Sequence, residues 1–180
     1  MNALDERVPY RPTDALIEAQ AREVGVEHVP EARVFVAGAI AELGRASLAI
    51  RALRRCLGPD CITRDWTEPV IAAMNAGRLD QSLTHDRRVA IATENALGVE
   101  QAGCFWLLAS RYGVDSLVEL GLAIALRRRG RPIHVVVSGG YGARIINAEL
   151  ADVRAAHDHE GLLAVAQWAR ELARSSEVRS

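Results

Sequence analysis

Apolar positions along this chain switch between two spacings, and the switches divide it into elements. Thr13 stands where a helix cap would, ahead of residues 14 to 24, in which Leu16, Ile17 and Ala21 share one face. The period then shortens. "RVFVAGAI", residues 33 to 40, carries Val34, Phe35 and Val36 as an unbroken run of β-formers ended by Gly38, the pattern of a strand buried on both faces. Helical spacing returns over 44 to 57, with Leu48, Leu53 and Leu57 inward, until Gly58 and Pro59 stop it. "CIT" at 61 to 63 reads as a second strand. Residues 65 to 84 have little regular pattern, and a connection of that length in a compact domain is often functional. Beyond it the spacing predicts a helix over 86 to 101 and a third strand, "CFWLLA", over 104 to 109. A helix over 116 to 129 follows, with Leu117, Leu120, Ala123, Ile124 and Ala125 inward, and then a fourth strand in "IHVVVSGG" at 133 to 140. A short helix near 143 to 150, a fifth strand near 152 to 156 and a last helix over 159 to 174 complete the pattern. The basic run "RRRGR" at 127 to 131 places positive charge at a helix C-terminus ahead of a glycine stop.

Strands that are apolar throughout, alternating with helices, predict an α/β domain with a parallel sheet and helices on both faces. Ligands of such sheets bind beyond the carboxyl ends of the strands. Those ends are Ala37-Gly38, Arg64 to Trp66, Ser110 to Ser116, and Ser138 to Gly142, so four loops converge on one crevice. The chain divides into an N-terminal arm and helix over 1 to 31, one domain over 32 to 175, and a tail over 176 to 180.

Composition narrows the function classes. A length of 180 residues with 49% hydrophobic content suits one domain with a sizeable core. Aromatics are only 4%, so Ala, Leu, Val and Ile must fill that core. A net charge of −1 supplies no field to attract nucleic acid, and no nucleic-acid partner is expected. The N-terminal stretch is polar and acidic rather than a signal peptide, and no apolar run approaches the roughly 20 residues of a membrane helix, which predicts a soluble, cytoplasmic protein without a membrane partner. The three cysteines, Cys56, Cys61 and Cys104, form no disulfide framework, and Cys56 with Cys61 lacks a second ligand pair for zinc. "HDHE" at 157 to 160 offers two histidines two residues apart with no third ligand, so no metal is expected and Asp158 reads as the start of the last helix.

The chemistry centres on Glu119. Ser116 and Glu119 satisfy S-x-x-E ahead of an apolar run, the signature of a capping box, and that reading needs nothing further. The same position, in the first turn of a helix after a central strand, also sets a carboxylate at the mouth of the crevice.

Four pieces in order carry a resemblance: "RVFVAGAI" at 33 to 40, "RDWTEPV" at 64 to 70, "CFWLLASRYGVDSLVELGLAIA" at 104 to 125 and "RPIHVVVSG" at 131 to 139. The chain resembles the nucleoside 2-deoxyribosyltransferase-like superfamily, which includes 2'-deoxynucleoside 5'-phosphate N-hydrolases, over roughly residues 33 to 170. The resemblance implies a flavodoxin-like three-layer αβα sandwich with strand order 2-1-3-4-5, and a substrate that is a nucleoside or nucleotide. It implies that Glu119 is the nucleophile, holding the sugar covalently while the base leaves. It also implies a homodimer or higher homo-oligomer and no cofactor.

One position departs from the pattern. The family carries an aspartate on the helix before the third strand to handle the proton of the leaving base. This chain reads "ENALGVEQAGCFWLL", with Asn95 at that place and Gly103 at a second aspartate position. An amide cannot deliver a carboxylic proton, although it can hydrogen-bond a base edge. Glu94 is adjacent but rotated about 100° around the helix, leaving Asp65 or Asp115 as substitutes. The alternative reading is a nucleotide-binding or sensing module of the same fold that has lost turnover.

The remaining candidates line the loops. Trp66, between Asp65 and Thr67, reads equally as a stacking platform for a base and as a packed ring. Gly38, Gly139, Gly140 and Gly142 either end strands or admit phosphate to backbone N–H groups, and "SGGYGAR" lacks the G-x-G-x-x-G spacing of a dinucleotide site. In the family a serine near the end of this strand reaches phosphate in a neighbouring subunit's site, and Ser138 is the candidate here. Asp115 and Ser116 belong to the loop that opens on Glu119, while Tyr112 and Tyr141 read as surface packing.

Overall fold

The computed structural model describes residues 12 to 25, 28 to 75 and 85 to 178. Among the described residues six helices and four strands follow one another as α1 (Pro12–Val24), β1 (Val34–Ala37), α2 (Leu43–Leu57), α3 (Thr67–Asn75), α4 (His85–Gln101), β2 (Cys104–Leu108), α5 (Val114–Arg128), β3 (His134–Ser138), β4 (Val153–Ala155) and α6 (Asp158–Glu177). Short 3-10 turns join them at Ile40–Glu42, Pro59–Cys61, Gly142–Arg144 and Ile146–Leu150. The short helix expected near 143 to 150 is therefore two such turns. The arm expected over the first twelve residues lies outside the described residues except for Pro12. Helix α1 begins at Pro12, so Thr13 falls inside its first turn rather than at the cap.

All strand pairs are parallel, in the order β1-β2-β3-β4. The expected strands at 33 to 38 and 104 to 109 are β1 and β2, and they are neighbours. The expected five strands in the order 2-1-3-4-5 are reduced to four, in the order β1-β2-β3-β4, because the second expected strand does not form. The segment 61 to 63 contributes a single parallel bridge, Ile62 to Val34. Its neighbour Thr63 donates to the Val34 carbonyl (3.0 Å), whereas the preceding carbonyl of Arg33 accepts from Cys104 (3.0 Å). Successive carbonyls of a strand point to opposite edges, so the bridge lies on the outer side of β1, away from β2. Squeezed between a 3-10 turn ending at Cys61 and the loop to α3, it is too short to build a ladder.

Alternation along the strands assigns the helices to faces. Phe35 and Phe105 are register partners with stacked rings 6.0 Å apart. A methyl group on Gly98 of α4 would come within 2.8 Å of the Phe35 ring, so α4 lies on that face, and α5 packs against both α4 and the sheet. Trp106, one residue on, points the other way, toward α6: a methyl on Gly161 of that helix would come within 2.7 Å of its indole nitrogen. Helices α1, α2 and α6 contact one another on this second face. The sheet is thus covered on both sides, with Val34, Phe35, Val36, Phe105, Trp106, Leu107, Val135 and Val136 fully buried between helices. Helix α1 belongs to the same core through Ile17 and Ala21, and Arg170 of α6 donates to its last carbonyl, Val24 (2.9 Å). Among the described residues no helix is long and apolar enough to cross a membrane.

Candidate functional site

Glu119 does not cap a helix. Helix α5 starts at Val114, two residues earlier than the apolar pattern suggests, with Gly113 at the cap position and no side-chain capping bond. Ser116 is therefore the third residue of the helix. Its buried hydroxyl donates back to the Gly113 carbonyl (2.8 Å), the local bond that serine makes when it lies inside a first turn. The capping box expected of Ser116 and Glu119 is not formed. A capping box exists elsewhere, in α6, where Glu160 accepts from the backbone N–H of His157 (3.1 Å).

Released from that role, the Glu119 carboxylate lies between α5 and α4, five residues or about 7.5 Å along the axis from the start of its helix. The side-chain amide of Asn95 donates to Glu119 Oε1 (2.8 Å). Burial pushes the Glu119 carboxyl up to about 7, against the Asn95 hydrogen bond, which favours the charged form, and with the Asp115 charge adding to the rise. Asp115 lies exposed in the first turn, one turn before Glu119 on the same helix. Asn95 Oδ1 is buried and has no hydrogen-bond partner among the described residues.

Arg64 and Glu94 complete the surroundings. They form an ion pair that fastens the segment after the Ile62 bridge to α4, and the pair engages the Glu94 carboxylate. The Arg64 Nε is a second buried polar atom without a partner among the described residues. The sequence places Arg64 at a strand end but carries no sign of its pairing with Glu94, which depends on the approach of α4 at Gly98, where a methyl would come within 2.8 Å of the Arg64 Cβ.

The other sequence candidates are not gathered around Glu119. Asp65 Oδ1 accepts from the Thr67 N–H (3.0 Å) and hydroxyl (2.6 Å) at the start of α3, while its other oxygen pairs with Arg54 (2.9 Å). Trp66 is only 7% exposed, and its indole N–H donates to the Val36 carbonyl (2.7 Å), so its ring is packed in the core. Gly38 lies beside that ring, and a methyl placed there would meet it, Ala46 and Leu108 at ordinary contact distances. Tyr112 is exposed, and Arg111 hydrogen-bonds to its hydroxyl and stacks over its ring.

Ser138 and Gly139 are engaged by partners inside the subunit. The Ser138 hydroxyl is fully buried, accepting from Trp106 Nε1 (2.9 Å) and donating to Asp158 Oδ1 (2.7 Å). Both bonds are made inside the subunit, which closes the hydroxyl to a neighbour's phosphate. Asp158 also takes a two-pronged bond from Arg45, Nε to Oδ2 (2.5 Å) and Nη2 to Oδ1 (2.7 Å). Arg45 bonds in addition to Glu42 (2.6 Å) and to the Ala109 carbonyl (3.1 Å). Burial opposes the Arg45 charge, but its bonds to Asp158 and Glu42 outweigh that and hold the guanidinium above its ordinary value. Gly139, at φ +100°, lets the guanidinium pass where a methyl would stand 2.5 Å from it. The absent side chain of Gly139 makes room for the Arg45 guanidinium.

Two shallow clefts lie at the opposite pole of the sheet. One, of about 120 Å³, is bounded by His28, Arg33 and Asp60 near the start of β1. The other, of about 250 Å³, is bounded by Arg127, His134, Asp152 and Trp168 near the start of β3. Neither contains Glu119 or another sequence candidate. Among the described residues no group of three or more His, Cys, Asp or Glu side chains is placed to hold a metal ion. His157 and His159 stack their rings 5.5 Å apart because His157 stands before the helix rather than on it.

The fold and this site define an α/β protein with a covered parallel sheet and a carboxylate–amide pair between two helices of one face. Comparison of the chain with protein-family models, curated proteins and solved structures returned no match.

Proposed function

We propose that this protein cleaves or exchanges the base of a nucleoside or nucleotide, as an N-glycosidase or 2-deoxyribosyltransferase-like enzyme, with Glu119 as nucleophile. The observation that carries the reading is the Glu119 carboxylate itself: partly buried, uninvolved in capping, and oriented by one amide hydrogen bond from a neighbouring helix. Ionised, it attacks the anomeric carbon as the base leaves, and water or a second base then takes the sugar. The Asn95 bond sets which carboxylate oxygen faces the sugar and favours the ionised form that attack requires.

A second reading is a nucleotide-binding module without turnover. Asn95 favours it, because the side chain that touches Glu119 has no acidic proton to give to a base. Release of free base from nucleosides and their 5'-monophosphates, followed by chromatography, separates the two. The enzyme reading expects release that Glu119→Gln abolishes while the variant keeps its circular dichroism and melting cooperativity. Binding of nucleotides without release by the wild type supports the module.

The enzyme reading includes a homo-oligomer. Val114 (73% exposed) and Val118 (71% exposed) stand one turn apart on α5, and Val89 and Leu97 are half-exposed on α4. Light scattering should give at least a dimer, and Val118→Lys should shift it toward monomer. A wild-type monomer at high micromolar concentration rejects this part.

A further inference from the structure

Resting on the N-glycoside reading, we infer that the Glu119–Asn95 site takes glycosides whose base already carries a positive charge, namely N-alkylated purine or pyridinium nucleosides and their phosphates. The charge of the leaving group decides whether an acid is needed. A neutral base departs as an anion unless an acid protonates it, and general acid catalysis typically contributes about 10²- to 10⁴-fold. A cationic base departs neutral and needs no proton.

Among the described residues the carboxyl groups that could stand in for the missing acid are placed for other tasks. Asn95 occupies the hydrogen-bonding position on the carboxylate, with its amide nitrogen already directed there. Glu94 is paired with Arg64. Asp65 is held by Arg54 and Thr67 at the start of α3. Asp115 acts on Glu119 as a negative charge one turn away. Two carboxylates one turn apart on one helix, with no arginine among the groups that act on Glu119, favour a cation over a neutral ligand. A positive base between them would also offset the cost of ionising the partly buried nucleophile.

The orphaned atom agrees with this. With one N–H of the Asn95 amide given to Glu119, Oδ1 remains a buried acceptor without a partner among the described residues. It calls for an N–H on the ligand. A carboxamide-bearing pyridinium and the N1–H or amino group of an alkylated guanine both supply one.

The step balances without a further reagent. A Glu119 oxygen forms a bond to C1', the C1'–N bond breaks, and its electron pair moves onto the ring nitrogen and cancels the positive charge. Water then forms a bond to C1', the ester bond to Glu119 breaks, and the carboxylate is restored. The second proton of that water goes to solvent, so each cationic substrate hydrolysed releases one proton, whereas hydrolysis of a neutral nucleoside releases none.

The test uses two sets of substrates, nicotinamide riboside, 7-methylguanosine and 7-methyl-2'-deoxyguanosine against adenosine, guanosine and 2'-deoxyguanosine, each also as its 5'-monophosphate. Free base is measured by chromatography and protons in a pH-stat. The expected result is release from the cationic set, lost in Glu119→Gln, with one proton per base. Relative to the uncatalysed rates, cationic substrates should be preferred by about 10² to 10⁴, the contribution of the missing acid. Asn95→Asp should narrow that ratio by accelerating the neutral set. Equal enhancement of both sets by the wild type, or a ratio unmoved by Asn95→Asp, overturns this inference and leaves the N-glycosidase reading standing. No release from either set overturns both.

Discussion

Asn95 of α4 and Glu119 of α5, 24 residues apart in the chain, meet through one hydrogen bond of 2.8 Å. The bond joins two helices of the same sheet face and fixes one carboxylate oxygen. It leaves Oε2 of Glu119 and Oδ1 of Asn95 outside the bond.

The first prediction concerns pH. The Glu119 carboxyl is raised from its ordinary 4.5 to about 7, chiefly by burial. Below the ordinary value it is protonated in the folded and unfolded chain alike, and its neutral form suits the buried position. As pH rises toward and through 7 the unfolded chain ionises first, so this contribution to stability is lost. Denaturant titrations should show Glu119→Gln gaining relative to the wild type between pH 4.5 and pH 8, by up to about 3 kcal/mol. A pH-independent difference contradicts the buried carboxyl. With Glu119 as the proposed nucleophile, base release should climb with pH in the same window to a plateau, half-maximal near 7, as the carboxylate forms.

The second prediction tests the Arg45–Asp158 pair, whose side chains are largely buried at the carboxyl end of the sheet. Asp158→Ala leaves the guanidinium with only Glu42 and a carbonyl, and should cost about 3–5 kcal/mol. Arg45→Met combined with Asp158→Leu should cost clearly less than the sum of the two single changes, since neither then strands a charge. Additive costs in urea unfolding would show that the pair is not coupled.

Adjacent glycines supply the third. At Gly139 the backbone has φ +100° and a methyl would stand 2.5 Å from the Arg45 guanidinium and 3.0 Å from the Ala109 carbonyl, whereas at Gly140 nothing lies within 4 Å. Gly139→Ala should destabilise by about 1–3 kcal/mol, and Gly140→Ala by no more than about 0.5 kcal/mol. Equal effects would remove the argument that Gly139 makes room for Arg45.

The fourth prediction concerns the thiols. Cys56, Cys61 and Cys104 are all buried and free. Burial pushes Cys61 up to about 12 and raises the other two as well, so none presents a reactive thiolate. An aromatic disulfide reagent at pH 8 should label the protein only at the rate of unfolding. A native-state burst of one equivalent refutes this.

The elements are legible in the amino-acid pattern wherever burial is uniform along a segment. Val34 to Val36 and Cys104 to Leu108 are buried at every position, so an unbroken apolar run identifies them as interior parallel strands, and Leu48, Leu53 and Leu57 mark the inner face of α2. These signals are local, and a strand or helix writes them into consecutive residues. The pattern fails where the outcome rests on a few hydrogen bonds. Residues 61 to 63 have strand-forming side chains yet meet β1 through one bridge, and Ser116 matches a capping motif yet lies inside its helix because α5 starts at Val114. Long-range pairings leave no trace in the chain at all. Arg45 and Asp158 are 113 residues apart, and neither spacing nor composition ties them. Ser138 and Gly139 end a strand at the crevice, which suggests phosphate contacts, but the docking of α6 against α2 commits them to Asp158 and Arg45. Glu119 stands out from its place after a central strand, whereas its bond to Asn95 and the burial that raises its pKa exist only once α4 and α5 pack together, since hydrogen-bond partners and desolvation are properties of assembled surfaces and not of the order of residues.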